Sequence, residues 1–155
     1  MTERTHIRQL DGVSRGPLID TVRPYPDQIR YSLNRLDGSS AWSYSLWRTP
    51  EGADLLEDIP LSETYMQCAG AAAAMTVEVR LETSEGVFRQ YVVGKPLNEH
   101  AEAPTEVISW GQREQDRTQV YSNEVFTADE AAEVFYDYFL TDKVSGLYVL
   151  RELEL

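Results

Sequence analysis

One cysteine and two histidines are the only thiol and imidazole groups among the 155 residues of this chain. Cys68 sits in Met66-Gln67-Cys68-Ala69-Gly70, with no charged neighbour in sequence to lower a thiol pKa. It reads as a small buried apolar side chain rather than a nucleophile. A single cysteine also excludes an intramolecular disulfide. His6 and His100 fall in polar segments that read as exposed, and neither has a second ligand at metal-binding spacing. The glycines form no GxGxxG after a strand, and no Lys-Ser or Lys-Thr follows a Gly-rich loop. The sequence therefore calls for no metal, nucleotide or other cofactor. Carboxylates are abundant, 26 in all, so a pair of them alone means little. Glu78, Glu82, Glu106 and Glu124 fall in or near expected strands. Acid/base work would need two of them facing each other across a cleft, which spacing does not fix. The reading leans away from an enzyme.

Charge carries more information. Residues 1–48 hold seven basic and five acidic side chains, and the rest hold seven and 21, which gives the net of −12. Such a field disfavours DNA, RNA and anionic membranes, which require basic surfaces, and favours basic partners. No apolar run approaches the ~20 residues needed to span a bilayer. Met1-Thr2-Glu3-Arg4 leads into no apolar segment of the kind found in a signal peptide. A cytoplasmic location is the expectation.

The elements that must position any site follow from periodicity. With 42% apolar and 10% aromatic residues, the chain has the composition of one globular domain. Residues 1–27, with Gly12, Gly16, Pro17, Pro24 and Pro26, read as an irregular arm, in which Leu18 to Val22 is at most a short edge strand. Residues 28–155 form the domain proper. Ile29-Arg30-Tyr31-Ser32-Leu33-Asn34 alternates with period two and is expected to be a strand. Asp37-Gly38 then supplies a hairpin turn, and Trp42 to Trp47 returns. Thr64 to Ala74 is ambiguous between strand and helix; a strand followed by a tight alanine-rich turn is preferred. Met75 to Glu82 is the clearest strand, with apolar residues at 75, 77, 79 and 81. A turn at 83–86, a return strand Val87–Val93, a short strand Val107–Trp110 and a partner strand Thr118–Phe126 follow. Thr127-Ala128-Asp129-Glu130 matches a capping box. Behind it Ala131, Val134, Phe135, Tyr138 and Phe139 form a core-facing helical stripe, leaving Glu133 and Asp137 to water. Leu147 to Leu153 reads as a terminal strand. The expected fold is α+β: an antiparallel meander of about six or seven strands with one C-terminal amphipathic helix packed on the sheet.

On this frame the candidate contact residues are Glu57 and Asp58, from an acidic loop at 51–63, and Asp129, Glu130, Glu133 and Asp137 of the helix. Residues 124–155 alone hold eight acids against Lys143 and Arg151. Gathered on one face, such groups would draw in a basic cleft and speed association. Trp42 and Trp110 are the candidate aromatic anchors, since Trp is enriched at interface hot spots. By alternation at most one of Trp42 and Trp47 belongs to the core. Gln112 to Arg117 reads as a solvated hairpin tip.

The segment Asn123-Glu124-Val125-Phe126-Thr127-Ala128-Asp129-Glu130-Ala131-Ala132, the helix it opens, the terminal Leu147-Tyr148-Val149-Leu150-Arg151, and the strand Met75 to Arg80 together resemble small immunity proteins of bacterial polymorphic toxin systems, particularly those of actinobacteria. The resemblance covers about a third of the chain and concerns packing rather than chemistry. The chain departs from it after the helix. There Thr141-Asp142-Lys143-Val144 stands where such proteins often carry Gly followed by Pro. The resemblance implies a cytoplasmic, non-enzymatic antagonist that binds a secreted toxin and blocks its active site, and it transfers no catalytic residue. Two other readings stand beside it. One is a small enzyme or ligand-binding domain with a sheet-lined pocket using Tyr65, Trp110 or Tyr121 and a buried carboxylate. The other is a homodimeric structural or assembly subunit joined through an exposed Trp42–Trp47 strand.

Overall fold

The structure, a computed structural model, describes residues 5–50, 62–96, 103–110 and 117–154. Nine strands and two helices are formed among them: β1 (His6–Leu10), β2 (Ser14–Pro17), α1 (Tyr25–Asn34), β3 (Ser43–Arg48), β4 (Tyr65–Ala71), β5 (Ala74–Ser84), β6 (Val87–Gly94), β7 (Glu106–Ser109), β8 (Arg117–Val120), α2 (Ala128–Thr141) and β9 (Val149–Glu152). Seven strands make one antiparallel sheet in the order β2-β1-β3-β4-β5-β6-β9, and β7 and β8 form a separate hairpin.

The expected meander and its C-terminal helix are present. Tyr65–Ala71 is a strand, and Ala72 and Ala73 turn the chain into β5. Gly70 ends this hairpin at φ +130°, where a Cβ would lie 2.6 Å from the Ala74 carbonyl oxygen and 2.9 Å from Met75 Cα. Only glycine fits so close a backbone approach. The capping box at Thr127 forms as expected: its hydroxyl accepts from the Glu130 N–H at 3.3 Å, and the Glu130 carboxylate accepts from the Thr127 N–H at 2.9 Å.

The partner strand expected at Thr118–Phe126 ends at Val120 and gives way to a 3-10 turn at Ser122–Glu124, and three further expectations fail. Residues 28–34 are not a strand but most of helix α1. Ile29 and Leu33 are fully buried while Tyr31 is 48% exposed, which is helical rather than strand periodicity. Leu36, also buried, extends the series to i, i+4, i+7. Pro24 and Pro26, read as marks of an irregular segment, begin this helix, where a missing N–H costs nothing. Second, residues 1–27 include the hairpin β1–β2, turned at Asp11 (φ 54°) and Gly12 (φ 74°). The Asp-Gly hairpin is thus at 11–12, while Asp37-Gly38 joins a helix to a strand; the edge strand is Ser14–Pro17 rather than a segment within Leu18–Val22. Third, His6 is not exposed: it is 1% accessible and packs against Phe139 with ring centroids 4.2 Å apart at a 34° tilt.

Both helices cover one face of the sheet. Ile29, Leu33 and Leu36 from the α1 region and Ala131, Val134, Phe135 and Tyr138 of α2 share a core with Tyr44, Leu46, Met66, Cys68, Val77, Val79 and Val93. Tyr44 meets Phe135 edge-on at 5.4 Å. The opposite face carries a smaller apolar cluster of Ile7 and Trp47 with Tyr65 against it. Met75 and Phe126 exchange two backbone hydrogen bonds of 2.9 Å, fixing the entry of α2 against β5.

Candidate partner-binding surface

The four acidic residues of α2 fall into two kinds. Asp129 accepts from Asn34 Nδ2 at 3.1 Å and lies 3.8 Å from Arg30 Nε, both on α1. Glu130 is engaged by the cap and by Lys95 Nζ at 3.1 Å, which together hold its carboxyl below the ordinary range, the Thr127 N–H having the largest effect. These two are structural. Glu133 and Asp137 are exposed, as the stripe implied, and no basic side chain of the described residues pairs with them. They sit one helical turn apart, with Leu140 (56% exposed) the next residue on that face.

Beyond α2, Tyr148 packs against the core with its ring centroid 6.3 Å from that of Phe126. Burial, and then the charges of Glu133, Asp137 and Glu130, push the Tyr148 hydroxyl pKa upward. Leu147, Val149 and Leu150 around it are exposed. Among the described residues, Glu133 and Asp137 are thus unpaired carboxylates with the exposed Leu140 next on their helix face, and Leu147, Val149 and Leu150 are further exposed aliphatics. Leu140 lies off the core stripe, and Leu147 to Leu153 reads in the sequence only as a terminal strand.

The other sequence candidates scatter. Trp42 is half-buried just before β3, with its backbone N–H donated to Asp11 Oδ1 at 2.7 Å. Trp110 is half-buried just beyond β7. Trp47 is buried, and both edges of β3 are paired, so no exposed aromatic strand exists there. Glu57 and Asp58 lie outside the described residues, as do His100 and most of the 112–117 tip.

The sheet face opposite the helices holds a second polar arrangement. Glu78, Val92 and Arg151 share one row across β5, β6 and β9. Glu78 Oε1 accepts from Gln90 Nε2 at 2.8 Å, and Gln90 Oε1 accepts from the Tyr65 hydroxyl at 3.2 Å. Burial raises the Glu78 pKa against the opposing effects of Gln90 and Arg151. Arg151 is itself held by Glu124, which is 3% exposed: Nε reaches Oε2 and Nη2 reaches Oε1, both at 2.9 Å. Elsewhere a cleft of about 690 Å³ opens beside Arg48, Thr64, Glu82 and Asp142, and Glu78 does not line it.

No helix among the described residues is long and apolar enough to cross a membrane. Comparison with protein-family models, with curated proteins and with solved structures gave no match.

Proposed function

We propose that this chain is a non-enzymatic binding protein that engages a basic protein through the outer face of α2, acting in the cytoplasm as an immunity-type antagonist of a toxin. The observation that carries this reading is the pair Glu133 and Asp137, exposed, without ion-pair partners among the described residues, and with the exposed Leu140 next on the same helix face. Most other acids of the helix layer are matched: Asp129 by Arg30, Glu130 by Lys95 and Asp142 by Arg48. Charge of this kind steers a basic partner, while the adjacent apolar side chains supply area to bury.

The test is co-production with candidate basic toxin domains. The intact chain should protect cells, and Glu133→Gln with Asp137→Asn should weaken the complex and flatten its salt dependence. No protection, or protection indifferent to both substitutions, would remove the proposal.

A second reading, a small-ligand site on the opposite face, draws on Glu78 with Gln90 and Tyr65. Glu78→Gln should leave the fold intact and abolish uptake of any small molecule found by screening. Unaltered uptake would sink it.

A further inference from the structure

The two edges of the large sheet differ. At one edge β2 is Ser14-Arg15-Gly16-Pro17, in which Pro17 has no N–H to offer and Gly16 weakens the strand. Such features blunt an edge against pairing. At the other edge β9 is Val149-Leu150-Arg151-Glu152, without Pro, Gly or Lys, and its two aliphatics are exposed at 47% and 39%. The bonding phase of this edge can be read from its end, where the Leu153 N–H donates to the Gln90 carbonyl at 2.8 Å. Bonded pairs alternate in an antiparallel ladder, so Arg151 with Val92 and Val149 with Gly94 face inward. The N–H and C=O of Leu150 and Glu152 are thereby turned away from the sheet. Among the described residues no strand pairs with that side.

Side chains sort by face in the same way. Leu150 and Glu152 project on the helix-covered side, opposite Val93 and Tyr91, while Val149 and Arg151 project on the other. Arg151 is consumed by Glu124. The helix-covered side is the side on which α2, the helix carrying Glu133 and Asp137, packs.

We infer that β9 receives an extended segment of a basic protein by strand addition, with the segment's Lys or Arg side chains on the helix side toward the Glu133–Asp137 row and its apolar side chains on the other side against Val149. This rests on the proposed reading of the acidic face and adds the mode of contact. Main-chain pairing to Leu150 and Glu152 gives register, and alternate side chains give selectivity. A second copy of the chain is the poorer occupant, because it would bring its own acidic row and net charge of −12 to the same place.

The probe is a short synthetic peptide alternating Lys and Val, compared with one alternating Glu and Val and with a block peptide of the same Lys and Val content. The alternating Lys-Val peptide should slow amide exchange at Leu150 and Glu152 by roughly tenfold at saturation, with Arg151 unchanged. Leu150→Pro removes an outward-facing donor and no bond to β6, and should weaken the peptide by about tenfold or more. Protection at Leu150 and Glu152 needs no variant, so the inference stays testable if Leu150→Pro misfolds. Equal binding of the block peptide or the Glu-Val peptide would overturn strand addition by a basic segment. So would a chain that dimerises on its own and is made monomeric by Leu150→Pro. If Glu133→Gln with Asp137→Asn weakens a toxin complex while Leu150→Pro leaves it unchanged, the edge inference fails and the acidic-face reading survives. If neither substitution matters, both fail.

Discussion

Arg48 and Asp142 lie 94 positions apart and meet side by side, with Arg48 Nε 3.0 Å from Oδ1 and 2.7 Å from Oδ2. Asp142 caps the C-terminus of α2 in the left-handed conformation, φ 61° and ψ 21°, and its N–H donates to the Tyr138 carbonyl at 2.7 Å. That position ordinarily favours glycine. α2 also carries no basic residue in its last turn, and Arg48 supplies the missing cation from β3, reaching the Phe139 carbonyl at 3.4 Å. An aspartate occupies a glycine-favouring site here because its carboxylate anchors the guanidinium that completes the helix end. Both partners are about half exposed, so the pair itself contributes modestly. Asp142→Ala, which loses the pair and keeps an unfavourable backbone, should cost about 1–2 kcal/mol. Asp142→Gly should cost less than Asp142→Ala, because it relieves the backbone while losing the pair. Urea denaturation of the two variants decides, and the reverse order would refute this account.

The Arg151–Glu124 pair should behave differently, because Glu124 is 3% exposed and also accepts from the Tyr121 N–H at 2.9 Å. Arg151→Ala strands a buried carboxylate and is expected to cost about 3 kcal/mol. Adding Glu124→Leu to that variant should restore part of the loss, since the charge needing a partner is gone. Two independent, additive losses in a double-mutant cycle would show that the pair is not coupled.

His6 makes stability sensitive to acid. Its Nδ1 is 2.8 Å from the Thr5 hydroxyl, and its Nε2 has no hydrogen-bond partner among the described residues. Burial, aided by Arg48, lowers its pKa from 6.5 to about 4. Above about 6.5 the ring is neutral in both folded and unfolded chains, and its contribution is fully present. As pH falls through the interval down to about 4, the unfolded chain takes up the proton first, and stability is lost. At about 1.4 kcal/mol per unit the loss approaches roughly 3 kcal/mol. His6→Phe, which keeps a ring against Phe139, should flatten the dependence between pH 6.5 and 5.5, above the range in which most carboxylates titrate. An unchanged slope would rule this out.

Cys68 is 2% exposed, and burial pushes its thiol up to about 12. A thiol-specific reagent at neutral pH should react at the rate of opening of the fold and accelerate sharply in denaturant. Immediate stoichiometric labelling of the native protein would contradict the structure.

The parts of the fold legible in the sequence are those where one local pattern has one solution. Met75 to Leu81 alternates strictly and becomes β5, and Thr127 with Glu130 announces α2. At residues 28–34 two periods coincide. Ile29 and Leu33 suit either a strand or a helix, and only the packing of Leu36 into the core and the exposure of Tyr31 separate them. The polar neighbours of His6 suggest a solvated ring, but β1 is covered by Phe139 from a helix more than a hundred residues away in the chain.

The candidate site divides in the same way. That Glu133 and Asp137 face water follows from the helical stripe alone, because a helix with one apolar face must present the remainder outward. Which acids retain free charge does not follow, since Arg30, Arg48 and Lys95 reach their partners across 35 to 99 positions. The sequence by itself determined the charge excess, the capped amphipathic helix and the strongest strands, all set by interactions within a few residues. Only the tertiary structure decided which carboxylates are neutralised, which sheet edge is left open and which polar groups are buried. Those depend on contacts between segments whose separation along the chain carries no local signal.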